Sequence, residues 1–492
     1  MASKDNIIKD LKFFTGMPHR RTGTENGVRS AEYIRQRFQD LGMQGVTIEH
    51  ADTSSRSYND WYLKAGEREV PCYFINGTLL KEETSVKAQI RKPLVYVGEG
   101  SPEDYQKTDV SGKIVVADIR WTDYTMDVFR NNHSTGEACY CDEGEITSTD
   151  GEDFGLDNYT PNTFPQNLIR AMDGGAEGFI GILWDNCDHY IHYNEDYNYL
   201  FEPGVAEDLL GYPLETSFHS MEIPGLCISR SEGEALIEAI QNTDALMGEM
   251  ELSVERSDQK ANVVFGKLPG KSDDVIIVHS HHDSVFEGAV QDGAAMSCVL
   301  EIARYFAGKP FEEREKTLIF AATDTHYTDY EGHEQFIKNR LAEGEHIILD
   351  VSLEHIGLDM TEAEDGTMQL SGKSGLKLIY TTENADLLEI TRKSVLDHKL
   401  KRAMILPVNK ERGYVCSDGA LFYEYGIPVV SLIGPVRYLM DPVDTFDKVD
   451  QTQLEPVSDY AIQVVEEVAC SFDGTIEENA CMFNGKVYEK IH

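Results

Sequence analysis

The sequence predicts an α/β protein: a doubly wound mixed sheet carrying an inserted β-rich section. Three observations predict it. Val275-Ile-Ile-Val278 and Thr317-Leu-Ile-Phe-Ala-Ala322 are continuous apolar runs, as expected of strands covered on both faces. A helical pattern, Ala294 to Phe306, fills the interval between them. From Val70 to about Glu255 the pattern changes to short β-type runs parted by Gly and Asp.

Taken along the chain, Ile8, Leu11 and Phe14 form one helical stripe, and Ala31, Ile34, Phe38 and Leu41 form another. A turn-rich connection, Arg20-Arg-Thr-Gly-Thr-Glu25, joins them. Leu94-Val-Tyr-Val97 and Lys113-Ile-Val-Val-Ala117 read as strands of the middle section. The acidic, Gly-rich stretch from Glu137 to Asp157 reads as a solvated loop, because it lacks the ligand order of an EF-hand. Ala171 to Ile180 reads as a helix end followed by a strand. Beyond the second apolar run, Ile347-Ile-Leu349 and Pro428-Val-Val-Ser-Leu-Ile433 are further strands. Strands alternating with helices place the chemistry at the carboxyl ends of the strands.

The 492 residues suffice for two domains, and 41% hydrophobic residues supply a core. Lys plus Arg number 44 against 86 Asp plus Glu, a formal net charge of −42. A surface that negative repels phosphate backbones and anionic lipid, so no nucleic acid and no membrane is expected as a partner. The N-terminal residues show no apolar run of a secretory signal, and no stretch approaches the roughly 18 apolar residues of a membrane span. Nine scattered cysteines, without zinc-ribbon spacing, suit a reduced cytoplasmic protein.

The chemistry-bearing residues gather after the first buried strand. Positions two apart in an extended chain share a face, so His281 and Asp283 point together. A carboxylate beside an imidazole fixes its tautomer, as the partners of metal ligands do. Asp292 sits immediately before the long helix, and Glu354 closes another strand. One imidazole and two carboxylates at adjacent strand ends make a cation site; the alternative is that these polar residues merely cap strands.

Several segments closely resemble the zinc aminopeptidase family, which includes bacterial leucyl aminopeptidases and glutamate carboxypeptidase, with the transferrin receptor as a metal-free relative. They are Asn262-Val-Val with Leu-Pro-Gly270, His281-His-Asp283, Asp292-Gly-Ala294, Leu300-Glu-Ile-Ala-Arg304, Ser417-Asp-Gly419 and Asp444-Thr-Phe-Asp-Lys448. Arg21-Thr-Gly-Thr24 also fits. Ser111-Gly-Lys-Ile-Val-Val116, Gly175-Ala-Glu-Gly-Phe-Ile180 and Ile223-Pro-Gly-Leu226 resemble the protease-associated domain inserted in many relatives. The resemblance implies an aminopeptidase-like domain over 1–66 and 256–492, with a protease-associated-like insertion over 67–255.

The resemblance also implies two zinc ions bridged by one aspartate, and here the sequence departs from the pattern. His281, Asp292 and Glu354 match one metal site, with Asp283 orienting the histidine. At the other site, His326 and Tyr327 stand where relatives carry a Glu-Glu pair, and Met440 stands where they carry a histidine. A thioether is a poor zinc ligand. The expectation is therefore one divalent ion per chain, zinc or iron(II), with His326 as acid/base or as a further ligand and Tyr327 as hydrogen-bond donor or ligand. Arg412, Tyr414 and Arg437 flank segments that shape the substrate pocket in relatives, where an arginine can clamp a carboxylate. His279, His282, His333 and His355, close in sequence to these residues, read as ordinary polar residues.

The function so implied is a metal-dependent hydrolase of aminopeptidase-like fold, acting on a small amide or related molecule rather than on general peptides. The alternatives are an inactive binding or scaffold protein of the same fold and a non-hydrolytic lyase. The expected partner is a small-molecule substrate, and a homodimer is compatible with the reading.

Overall fold

The computed structural model describes residues 1–79, 83–120, 140–142, 146, 163–185, 188, 221–328, 330–364, 368–409, 415–436, 438–472, 474, 482–483 and 486–487. In chain order, the first strands are β1 (Gln44–Glu49), β2 (Asp52–Ala65), β3 (Arg68–Val70), β4 (Tyr73–Phe74), β5 (Ser85–Tyr96), β6 (Ile114–Ile119), β7 (Tyr140–Cys141), β8 (Gly178–Leu183) and β9 (Gly225–Ser229). Then come β10 (Met247–Lys260), β11 (Val263–Leu268), β12 (Ser272–His281), β13 (Lys316–Thr323) and β14 (Ile347–Leu353). The remainder are β15 (Leu358–Glu362), β16 (Met368–Ser374), β17 (Lys377–Thr382), β18 (Ala403–Val408) and β19 (Val429–Ile433).

Two large sheets result. The first has the order β1-β11-β13-β12-β14-β19-β17-β18-β7. Its centre, β13-β12-β14-β19, is parallel; β1 and β11 run against their neighbours, and β17 runs against β19 but parallel to β18. The second has the order β3-β2-β10-β5-β6-β8-β9-β4, so all its strands fall between residues 52 and 260. Its long antiparallel ribbon β2/β10 lies beside parallel β5, β6, β8 and β9.

The apolar runs explain the first sheet. Ile276 and Val278 face one core with Leu318, Phe320 and the helices Lys4–Phe14, Ala295–Ala307 and Leu454–Ser471. Val275 and Ile277 face the opposite core with Phe265, Ile319 and Phe336 of the helix Glu331–Ala342. Period-two alternation between two covered faces requires a strand that is apolar at every position, which is what the runs supply. The stripe of the second helix, Glu25–Asp40, holds as well: Ala31, Ile34 and Phe38 are buried, and Thr24 caps it by accepting from Gly27 N.

One expectation is corrected. The acidic stretch 137–157 lies largely outside the described residues, but its described part is not a solvated loop. Tyr140 and Cys141 pair with Ile405 and Met404 at the edge of the first sheet, and Ile146 is buried in its core. A two-residue strand is too short to show a period, and its partner lies more than 250 residues away. Among the described residues no helix is long and apolar enough to cross a membrane.

Phe320 is fully buried at the centre of the first core. Phe320→Ala is expected to lower stability by about 3–5 kcal/mol in a denaturant titration, through lost transfer energy and the cavity left behind.

Candidate metal centre

The parallel centre of the first sheet brings its strand ends to one point. β12 ends on His281, β14 is followed by Glu354, and Asp292 lies in a kinked turn, Ala289–Ala294, at the start of the helix Ala295–Ala307. Gln291 and Asp292 leave helical geometry there (φ/ψ −104°/94° and −116°/39°), which turns the Asp292 carboxylate back toward β12. His281, Asp283, Asp292 and Glu354 are all buried.

His281 Nδ1 lies 3.1 Å from both the Asp283 carboxylate and the Asp283 carbonyl. Both are acceptors only, so Nδ1 carries the proton, and in the neutral ring Nε2 is the lone-pair atom. Nε2 lies 2.8 Å from Asp292 Oδ2, yet without the alignment of a hydrogen bond. Two donor atoms set side by side in this way suit a shared cation. Burial and His326 lower the His281 pKa, but Asp292 and Asp283 outweigh them and raise it to about 10. The carboxylates at this point call for positive charge.

Glu354 Oε1 accepts from Asp418 N at 2.7 Å, and Oε2 has no hydrogen-bond partner. Burial, then Asp418 and Asp292, push the Glu354 carboxyl well above its ordinary range. His355 adopts the left-handed conformation (φ 55°) and donates its backbone N–H to Asp292 Oδ1 at 2.8 Å. Its Nδ1 lies 3.1 Å from Gly434 O, which places the proton on Nδ1 and leaves Nε2 buried without a partner. Burial lowers the His355 pKa to about 4, so the ring is neutral. His281, Asp292, Glu354 and His355 thus each offer a ligand atom, all within 4.8 Å of one another. Two imidazoles and two carboxylates fit zinc, and buried lone pairs without donors are what an ion would satisfy.

A second, overlapping set adds His326. His281, His326, Glu354 and Asp418 also offer ligand atoms within 4.8 Å of one another. The His326 ring stacks on His281 at 4.1 Å and 12°, and its Nδ1 lies 2.9 Å from Asp418 Oδ1. The other Asp418 oxygen lies 3.2 Å from His333 Nε2, whose Nδ1 contacts Asp324 O at 2.9 Å. Burial acts to raise the Asp418 pKa, but His333 and His326 hold it well below the carboxylate range. Tyr330 reaches both ring nitrogens of His326, at 3.1 and 3.4 Å.

The structure therefore brings His281, Asp283, Asp292, Glu354 and His326 together. Tyr327 lies edge-on to them, with ring centroids 6.0 Å from His281 and 5.0 Å from His326. Met440 is buried, its N–H donating to the Gln291 side chain at 3.1 Å. Arg412, Tyr414 and Arg437 lie outside the described residues. His279 ties β12 to Asp350 of β14 at 3.1 Å, and His282 reaches Asn262 O at 2.9 Å, so neither joins the centre. Sequence reasoning missed His355, Asp418 and His333 as members. Adjacency to Glu354 was the available signal for His355, and the Ser417-Asp-Gly segment for Asp418.

Residues 262–465 match peptidase family M28. No curated protein matches the chain. Among solved structures, an aminopeptidase from Aneurinibacillus sp. strain AM-1 is 18% identical with a TM-score of 0.62, over 98% of this chain and 97% of that one. BSAP, a zinc aminopeptidase from Bacillus subtilis, is 17% identical with a TM-score of 0.62, over 100% of this chain and 99% of that one. A peptidase M28 precursor from Shewanella amazonensis SB2B is 15% identical with a TM-score of 0.63, over 96% and 93%. At such identities the likeness is one of fold. The matched segment holds every residue of the two candidate ligand sets, and the chain thus carries a peptidase family M28 domain over residues 262–465.

Proposed function

We propose that this M28 domain works as a metal-dependent hydrolase with one divalent ion per chain, acting on a small amide or related small molecule rather than on general peptides. The observation that carries the reading is the convergence of one ligand atom each from His281, Asp292, Glu354 and His355 within 4.8 Å of one another, with Glu354 Oε2 and His355 Nε2 buried and without a hydrogen-bond partner. Zinc is the first choice of ion, and the same donors suit iron(II). When bound, such an ion supplies Lewis acidity toward a substrate carbonyl.

The chain's own residues divide the remaining work. Asp283 keeps the His281 proton on Nδ1, so that Nε2 faces the ion. Asp418 does the same for His326, which makes Nε2 its basic atom and suits the ring to move a proton. The reading of a single ion rests on Tyr327 and Met440: a phenol and a thioether stand where relatives carry a carboxylate and an imidazole. Those two residues also favour the rival reading, a metal-free binding protein. The donor set argues against it, because burying these imidazoles and carboxylates together costs stability that a bound ion would offset.

The same reading extends to the rest of the chain. It makes residues 67–255 an inserted protease-associated-like domain and places the protein in the cytoplasm, acting on a small-molecule substrate; a homodimer is compatible with it.

Elemental analysis of protein purified without added metal is expected to give about one ion per chain, and Asp292→Ala to remove it. Two ions per chain contradict the single-ion reading, and none contradicts the hydrolase. Simple aminoacyl anilides are expected to turn over slowly or not at all, with or without added zinc. Against a panel of small amides, His326→Ala is expected to keep the ion and the fold, at a lower thermal midpoint, while turnover falls about 10²–10⁴-fold. Loss of ion in parallel with turnover makes His326 a ligand instead.

A further inference from the structure

Arg20 and Asp444 belong to neither ligand set, yet both are buried against the loop that joins His281 to Asp292. Arg20 lies in the connection between the first two helices. Its Nε donates to His282 O at 2.8 Å, Nη1 to Glu287 O and to Phe14 O, and Nη2 to Gly288 O at 3.1 Å and Gln291 O at 3.4 Å. Its backbone N–H donates to Ser284 O at 2.9 Å. Among the described residues, every guanidinium hydrogen bond goes to a carbonyl, and all but the one to Phe14 go to residues 282–291.

Asp444 takes the complementary half of the same loop. Its Oδ1 accepts from Val290 N at 2.8 Å, its Oδ2 accepts from Gln291 N at 3.0 Å, and its carbonyl lies 3.3 Å from Ala289 N. One buried cation thus holds the loop's carbonyls, and one buried carboxylate holds its amides.

The loop needs such partners. Its residues 291 and 292 are not helical, so regular helix bonds do not satisfy its backbone. Gly288 turns it with φ 55°, where a Cβ would meet Gln291 O and Ser284. Arg20 is also a permanent charge facing the carboxylates of Asp444, Asp283 and Asp292.

We propose that Arg20 and Asp444 are positioning residues that set the place of Asp292 and thereby the affinity of the centre for its ion. The inference rests on the ion site proposed above. Partners of this kind typically change metal affinity about 10–100-fold when lost.

The test uses the full chain stripped of metal and titrated with Zn²⁺ against a chromophoric chelator. Thermal midpoints of the metal-free proteins and the visible spectrum with Co²⁺ are recorded alongside. Asp444→Asn keeps the shape but turns an amide NH₂ toward one of the two backbone N–H groups. Arg20→Lys keeps the charge but cannot span four loop carbonyls. Both are expected to bind Zn²⁺ about 10–100-fold more weakly than the parent and to alter the Co²⁺ bands. Ile379→Val, a core change in β17, is the control, expected to lower the midpoint without changing zinc affinity. If the parent binds Zn²⁺ and both variants bind within about two-fold of it, the positioning role is overturned while the ion site stands. The role is also overturned if the control loses affinity in proportion to its midpoint. If the parent takes up no Zn²⁺, the ion site itself falls.

Discussion

Four carboxylates buried together are the constraint on which this structure depends. Asp283, Asp292, Glu354 and Asp418 meet at the ends of parallel strands with 0–1% of their surface exposed. Ionised groups removed from water need opposite charge and complete hydrogen bonding. The chain answers with histidines. His281 lies between Asp283 and Asp292, and Asp418 lies between His326 and His333. These partners explain why Asp418 stays ionised, whereas at Glu354 burial, Asp418 and Asp292 outweigh the pull of His326 and His281 and push the carboxyl toward protonation. A divalent ion would complete the balance where, among the described residues, ligand atoms of His281, Asp292, Glu354 and His355 converge.

The fold makes this arrangement affordable in conformational terms. Each ligand sits at a strand end or beside a helix start, and the strands themselves are fixed by two covered cores. Where the backbone must leave regular geometry, at Thr325 (φ 78°) before His326 and at His355 (φ 55°) after Glu354, the change of direction aims a side chain. For Thr325, a β-branched residue, that conformation carries strain. Its hydroxyl accepts Gly332 N at 2.8 Å, which ties the strained turn to the following helix.

Much of the framework was legible in the sequence because it follows from periodicity. The apolar runs at Val275 and Thr317 could hardly be anything but doubly covered strands, and the amphipathic stripes at the N-terminus gave the first two helices. His281, Asp283, Asp292 and Glu354 were legible from strand position and from likeness to a family. His355 was not, because its membership depends on a left-handed turn and on Gly434, a residue of a distant segment. Asp418 was hidden for a related reason: it lies 92 residues from His326, and only the order β12-β14-β19 brings them together. Tyr140 and Cys141 were misread as loop because pairing with β18, rather than any local pattern, makes them a strand.

The central claim is that one ion sits among His281, Asp292, Glu354 and one further imidazole, with no second ion beyond Asp292. Anomalous diffraction from zinc-loaded crystals, recorded on both sides of the zinc edge, tests it most directly. The account predicts a single peak within about 2.0–2.2 Å of His281 Nε2 and of the Asp292 and Glu354 carboxylates. Two peaks about 3.5–4 Å apart with Asp292 between them, or no peak among these residues, would contradict it.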